Sequence, residues 1–263
     1  MPNKNNRKLF PEERRQHIRV LVDENGRVSV DELARRFDVS PVTIRTDLDR
    51  LEEEGAVKRT HGGAIVLTSD EGRVDLAFEE RQLLNQAEKE HIGELAASLV
   101  RNGSTILLDA STTAMQMTKH LRHRRALTVV TNCLPIAMAF EDAPDVTVVI
   151  LGGIVRSSSW SVVGSWIKQI LTEINIDIAF LGCKGITPDD GISDVNPWTI
   201  ESKKAMMAES KKSIVLVDSS KWGRVAFASF AAVDDVSMII TSSNAPENLV
   251  TAVKSKGVDI RTN

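Results

Sequence analysis

Five short polar segments, each directly behind an apolar run, hold most of the side chains in this chain with chemistry to offer. They are Asp109-Ala110-Ser111-Thr112-Thr113, Thr131-Asn132, Gly152-Gly153, Gly182 with Lys184 and Gly185, and Asp218-Ser219-Ser220-Lys221. Three consecutive hydroxyls entering a helical stretch at Ala114 suit an anion, because a helix N-terminus presents unpaired N–H donors and the positive end of its dipole. Ser111, Thr112 and Thr113 are therefore expected to cradle a phosphate. Lys221 would bring it a positive charge or bond a sugar oxygen, while Asp109 and Asn132 would hold hydroxyls. Taken singly, each feature has a plainer explanation: Ser-Thr-Thr caps helices, Gly152-Gly153 makes a turn and Lys221 is a solvated charge. Their recurrence behind successive apolar runs favours one ligand cleft that also includes Gly152, Gly153 and Lys184. Acid–base groups exist in Asp109, Asp190, Asp194, Glu201 and Lys221, so an enzyme that turns over the same ligand is the competing reading. Carboxylates also hold sugar hydroxyls without turnover, however, and no histidine falls in these loops.

A second constellation occupies residues 28–63. Ser40 is placed to cap a helix from Pro41 to about Glu54, in which Ile44, Leu48 and Leu51 recur at i, i+4, i+7 and form one inward stripe. The other side then presents Val42, Thr43, Thr46, Asp49 and Arg50, with Arg45 on its flank. Short hydroxyls, a methyl-bearing valine and guanidinium groups suit thymine methyls, base edges and phosphates in a major groove about 12 Å wide. Behind Gly55, residues 56–66 read as two short strands around Gly62-Gly63, a basic wing. Its Lys58, Arg59 and His61 would lie along the DNA backbone or minor groove, where cations add salt-dependent affinity and little sequence information. Ser40, Val42, Thr43, Arg45, Thr46, Arg50, Lys58, Arg59 and His61 are thus the expected DNA-contacting set. A non-specific architectural DNA protein is disfavoured, since it leaves the strand-end residues without a role.

The elements that must position these groups are legible in outline. Pro11, Glu12 and Glu13 open a helix with Ile18, Leu21 and Val22 on its buried side, closed by Asn25-Gly26. After the segment Arg27 to Val30, Ser29 caps a helix to Phe37 with Glu32 as its capping-box partner and Leu33, Ala34 and Phe37 inside; Asp38-Val39-Ser40 turns the chain. Beyond a polar stretch, a helix is expected from about Leu83 to Val100 with Ile92, Leu95, Ala96 and Leu99 on one face. Apolar, β-branched runs at residues 105–108, 127–130, 146–151, 176–181, 213–217 and 238–241 then alternate with helical stretches. This is the pattern of a mostly parallel sheet covered on both faces, where ligands bind beyond the carboxyl ends of the strands.

With 263 residues and a 42% apolar fraction the chain can build two cores. The expected division is a winged helix-turn-helix domain at 1–67, a linker at 68–82 and an α/β effector domain at 83–263. Net charge is −3, and residues 1–66 carry 13 basic and 12 acidic side chains, so local placement of charge matters more than its sum. Cys133 and Cys183 sit inside apolar runs without metal-like spacing, which reads as reduced core thiols in a cytoplasmic protein with no metal or cofactor. No stretch reaches the roughly 20 apolar residues that a membrane helix needs.

The segments V-S-V-D-E-L-A-R-R-F-D-V-S-P-V-T-I-R-T-D-L-D-R-L-E-E-E-G and K-R-T-H-G-G-A resemble the DeoR family of bacterial transcription regulators, the helix-turn-helix proper corresponding to Val28–Asp47. That family usually has two arginines after T-I, where this chain has Arg45-Thr46. Further on, L-D-A-S-T-T, T-N, L-G-G, F-L-G-C-K-G-I, D-G-I-S and D-S-S-K-W-G are similar to the family's sensor domain, with Ser111 standing where a glycine is common. The resemblance spans about residues 7–260. It implies a sensor similar in fold to ribose-phosphate isomerases and glucosamine-phosphate deaminases, which binds a phosphorylated sugar and catalyses nothing. It further implies a repressor of a carbohydrate-metabolism operon whose partners are double-stranded operator DNA and the effector. A homo-oligomer is expected because one small winged unit makes few base contacts and paired heads read repeated half-sites.

Overall fold

Pro11 starts α1 (Pro11–Asn25), and the helix–strand–helix–helix–wing order follows: β1 (Arg27–Ser29), α2 (Val30–Phe37), α3 (Pro41–Glu53), β2 (Lys58–Thr60) and β3 (Gly63–Ile65). The computed structural model describes residues 10–25, 27–54, 56–60, 62–65 and 78–262, and the chain divides into two units, Met1–Leu76 and Ala77–Asn263. In the first unit the expected caps are present. Ser29 Oγ accepts the Glu32 N–H at 3.2 Å, Asp38 closes α2 in the left-handed region at φ 51°, and Ser40 Oγ accepts the Thr43 N–H at 3.1 Å. Ile18, Leu21, Val22, Leu33, Ile44, Leu48 and Leu51 meet in one core. Within that core side of α3 lies an ion pair that the apolar stripe does not announce: Arg14 Nε is 2.6 Å from Asp47 Oδ2, both side chains being buried.

Arg27–Ser29, expected only as a connecting segment, is a third wing strand, and the sheet order is β1-β3-β2 with both pairings antiparallel. Gly63 makes this possible, since a Cβ there would lie 1.8 Å from the Val28 carbonyl oxygen. Gly55, expected to stop α3, and His61, expected on the wing, lie outside the described residues, as does most of the expected linker.

The second unit runs α4 (Phe78–Leu83), α5 (Gln86–Ser98), β4 (Thr105–Leu108), α6 (Thr112–Leu121), β5 (Leu127–Thr131), α7 (Leu134–Met138), β6 (Val146–Ile150), β7 (Ile154–Arg156) and β8 (Ser161–Val163). It continues with α8 (Trp166–Leu171), β9 (Ile178–Gly182), β10 (Gly185–Thr187), β11 (Gly191–Asp194), α9 (Pro197–Ala208), β12 (Ser213–Val217), β13 (Ala228–Ala231), β14 (Met238–Thr241), α10 (Glu247–Lys254) and β15 (Ile260–Arg261). The single helix expected from Leu83 is two helices, because Asn85 adopts a left-handed φ of 47° between them, and α4 occupies the end of the stretch read as a linker.

Seven strands form one sheet in the order β15-β14-β12-β9-β4-β5-β6, every neighbouring pair parallel. Alternate residues of the same strand enter different cores. Leu107, Val130, Leu181 and Val215 pack on one face under α8, α9 and α10, while Ile106, Leu108, Val129, Phe180 and Leu216 pack on the other under α5, α6 and α7. Burial on both faces is why these runs read as continuously apolar. The chain leaves β4 toward β5 and β6 on one side and returns through β9 on the other, so the order reverses at β4/β9. A crevice opens at such a switch point beyond the strand carboxyl ends. An antiparallel sheet, β10-β11-β13, and the hairpin β7-β8 complete the unit; neither was expected.

Candidate functional site

On the N-terminal unit, α3 offers its outer side much as expected. Val42 is 66% exposed, and Arg45, Thr46 and Arg50 are exposed too. The groups are not equally available. Ser40 and Thr43 bond each other through their hydroxyls at 2.8 Å, and Thr46 Oγ1 donates to the Val42 carbonyl. Arg50 pairs with Glu53 at 2.9 Å and Glu54 at 3.6 Å along its own helix. Arg59 is drawn onto α3, its N–H on Glu52 Oε1 at 2.7 Å and its Nε 3.2 Å from Asp49 Oδ1. Arg45 has no ion-pair partner among the described residues. Lys58 stands in β2 opposite Ile65. The face therefore carries one uncommitted guanidinium, a methyl-bearing valine and hydroxyls, with the wing braced against the reading helix.

In the second unit the switch point gathers a polar cluster. Asp109, directly after β4, accepts the Gly182 N–H on Oδ2 at 3.0 Å. The same oxygen lies 2.9 Å from Lys203 Nζ, whose other carboxylate, Asp194 at the end of β11, is 3.0 Å away. Lys203 Nζ also donates to the Gly182 carbonyl. Burial pulls the Lys203 ammonium down, and the Asp109 and Asp194 charges outweigh it, holding the group above the ordinary lysine value. Ser111 caps α6, its Oγ accepting the Ala114 N–H at 3.0 Å, with Thr112 and Thr113 buried in the first turn. Gly182 admits this packing, because a Cβ there would be 2.4 Å from Ser111 Cβ. One strand over, β5 runs in register with β4, Leu108 opposite Thr131, so Asn132 emerges beside Asp109. Its Nδ2 donates to the Val162 carbonyl at 2.9 Å. Asp109 Oδ1 and Asn132 Oδ1 are both buried without a hydrogen-bond partner.

A second cluster lies beyond β12 and β14. Asp218 accepts from Asn85 Nδ2 at 3.0 Å and from the Ser220 N–H at 3.1 Å, with Lys221 Nζ 3.9 Å from its other oxygen. Burial pushes the Asp218 carboxyl up; the Lys221 and Lys89 charges and these bonds prevail and hold it below the ordinary value. Glu88, in the first turn of α5, accepts from the Ser219 N–H and Oγ, Ser242 Oγ and Asn244 Nδ2. Cys183 joins the two clusters. Burial pushes its thiol up to about 12, and it feels the charges of Lys203 and Asp194 on one side and Lys221 and Asp218 on the other.

Of the expected ligand residues, Asp109, Ser111, Thr112, Thr113 and Asn132 are brought together, and Lys221 belongs to the neighbouring cluster. Lys184 is half-buried, with its N–H on the Ser193 carbonyl. Gly153 serves the backbone: its φ of 153° and a virtual Cβ 2.4 Å from the Val163 carbonyl oxygen account for the residue, and Gly152 beside it is exposed. Of the acid–base candidates, Asp190 is an exposed turn residue bonded to Thr187, and Glu201 is exposed on α9; only Asp194 and Asp109 enter the buried cluster. Lys203 escaped the sequence reading. Its signal was its phase, Ile200, Lys203 and Met206 at i, i+3, i+6 on the buried side of α9.

A winged helix-turn-helix unit followed in sequence by a doubly covered parallel α/β unit with a polar cluster at its strand ends defines a ligand-responsive DNA-binding regulator. The model of the DeoR-like helix-turn-helix domain matches residues 14–70 and that of the DeoR C terminal sensor domain matches residues 84–243. The chain belongs to the DeoR family of transcriptional regulators. It is 36% identical to the HTH-type transcriptional regulator GolR of Listeria innocua, over 96% of this chain and 99% of that one. It is 30% identical to the glycerol-3-phosphate regulon repressor of Escherichia coli, over 88% and 90% of the two chains. A ribose 5-phosphate isomerase structure from Methanocaldococcus jannaschii overlaps 52% of this chain and 55% of that one at 19% identity and a TM-score of 0.39, too loosely to inform the ligand. Among the described residues no helix is long and apolar enough to cross a membrane.

Proposed function

We propose that this chain is a cytoplasmic repressor of a carbohydrate-metabolism operon, released from its operator when a phosphorylated sugar enters the strand-end cleft. One observation carries the effector half of this reading. Two buried acceptors without partners, Asp109 Oδ1 and Asn132 Oδ1, lie beside the hydroxyl-capped N-terminus of α6. Leaving a buried polar group unpaired costs about 1–3 kcal/mol, so a ligand that supplies hydroxyl donors recovers that cost. The helix end receives the phosphate, with Ser111, Thr112 and Thr113 around it, Lys221 reaching it from the next cluster, and Gly152, Gly153 and Lys184 on the rim. The names of the relatives, a glycerol-3-phosphate regulon repressor and a putative aga operon repressor, agree with an effector from sugar metabolism.

The chain acts by binding and not by turnover. Lys203 holds Asp109 and Asp194 in ion pairs, so one ammonium engages both carboxylates of the buried cluster. On DNA, Val42, Thr43, Arg45 and Thr46 of α3 face the major groove, Ser40 sits at the helix N-terminus, and Arg50, Lys58, Arg59 and His61 flank the phosphates. Two or more copies present paired heads to repeated half-sites. Effector binding favours an arrangement of the heads that fits the operator less well, a coupling that is typically about 1–3 kcal/mol.

The test is thermal stabilisation by sugar phosphates and their unphosphorylated parents. A ligand present at about a thousand times its Kd adds about 4 kcal/mol to the folded state. A raised midpoint with one phosphorylated sugar, absent with its parent, is expected; no shift with any of them would remove the sugar-phosphate reading.

A further inference from the structure

Lys203 sits inside the protein with nothing to offer a ligand. An ammonium has three N–H donors, and here the Asp109 carboxylate, the Asp194 carboxylate and the Gly182 carbonyl take all three. The residue is 5% exposed, with its Nζ 5.1 Å from the Phe230 ring centroid. Asp109 is arranged in the opposite way. Its Oδ2 receives Gly182 and Lys203 together, and Oδ1 is left buried with no partner. Asn132 repeats the pattern, with Nδ2 committed to Val162 and Oδ1 without a donor. The subsite is thus rich in acceptors, and two carboxylates around one ammonium leave it one negative charge.

We infer that Lys203 is a positioning residue that never touches the effector but fixes the Asp109 carboxylate with Oδ1 presented to it, so that this end of the site selects a carbon chain bearing hydroxyls over one bearing a carboxylate. The inference rests on the sugar-phosphate reading above and assigns the pose within it: phosphate at the start of α6, hydroxyls at Asp109 and Asn132. A sugar acid phosphate would place a second anion against the net negative subsite and bring acceptors where donors are needed.

The test compares three pairs of probes by calorimetry: glycerol 3-phosphate with 3-phosphoglycerate, ribose 5-phosphate with 5-phosphoribonate, and glucose 6-phosphate with 6-phosphogluconate. The intact wild-type chain is expected to prefer the sugar phosphate of a pair it binds by tenfold or more at about pH 7.5, where the phosphate monoester, with a second pKa of about 6, is doubly ionised. In Lys203→Met the Asp109 carboxylate loses the ammonium that fixes its Oδ2 and with it the orientation of Oδ1. Sugar-phosphate affinity is then expected to fall tenfold or more and the preference over the acid to be lost, and Lys203→Arg to restore both.

A folded Lys203→Met protein with wild-type affinity and preference would overturn the inference. So would a loss of affinity with the preference over the acid intact, the signature of a packing defect alone. Should Lys203→Met fail to fold by circular dichroism, Asp109→Asn decides: a tenfold weaker sugar phosphate and a lost preference support the inference, and an unchanged preference overturns it. Wild-type protein that binds none of the six compounds would instead sink the reading of the cleft itself.

Discussion

Arg45 and Asp47 stand two positions apart on α3 and do opposite work. Arg45 is exposed with no ion-pair partner among the described residues, whereas Asp47 is 2% exposed and paired with Arg14 across to α1. Arg45→Ala is therefore expected to weaken operator binding by about 1–3 kcal/mol while effector binding stays as it was, read by fluorescence anisotropy on labelled upstream DNA. Arg50→Ala should cost less, because Glu53 and Glu54 already occupy that guanidinium. Asp47→Ala removes the carboxylate paired with buried Arg14 and should lower the stability of the N-terminal unit by about 3–5 kcal/mol, read by chemical denaturation; operator binding would fall only through unfolding. Arg45 was legible on the flank of the outer side of α3, whereas Asp47 and Lys203 were not legible as buried charges. Both failures have one cause. Each charged residue occupies a buried phase of its helix, where local pattern assigns it to solvent unless the distant partner, Arg14 or Asp109, is known.

Elements differ in how openly the sequence declares them. β4, β12 and β14 were legible to the residue because strands buried on both faces are unbroken apolar runs. The pairs β7-β8 and β10-β11 were not, since strands of three or four residues have too little length to show alternation; only Asp189-Asp190-Gly191, with Gly191 at φ 78°, marked the second turn. The break between α4 and α5 at Asn85 was hidden for another reason. Asparagine in a left-handed conformation there gains a bond to Asp218, a residue of β12's far end. Two element-scale outcomes follow. Gly63→Ala drives a methyl against the Val28 carbonyl oxygen and should cost about 1–3 kcal/mol or detach the wing, seen as a lower Tm together with weaker operator binding. Glu88, raised by burial but held below the ordinary glutamate value by bonds from Ser242, Asn244 and Ser219, links α5 to the loops after β12 and β14. A depressed folded value contributes stability that is present above the unfolded value and lost as pH falls through the folded one. Glu88→Gln should therefore be less stable than wild type at pH 7, with the gap in Tm closing as the pH falls below about 4.

At the scale of the whole chain, a DNA-reading unit and a ligand-binding unit are encoded in series, and regulation requires that the ligand bind the two DNA-binding states with different affinity. Lys221→Ala is expected to bind operator as wild type does and to need a higher effector concentration for release, because the substitution touches only the cleft. The division into two units and the family were legible from motifs that run from the reading helix to D-S-S-K-W-G; the charged centre of the cleft was not, because it is assembled by β4, β9, β11 and α9 from residues 109 to 203. The most direct measurement is anisotropy of the labelled upstream operator held by the full-length protein while sugar phosphates are added one at a time at fixed salt. Release by one phosphorylated sugar at micromolar to millimolar concentration, with none by its unphosphorylated parent, is the predicted result. An operator complex that withstands every sugar phosphate, or that forms equally well on random DNA, would contradict a sugar-phosphate-controlled repressor.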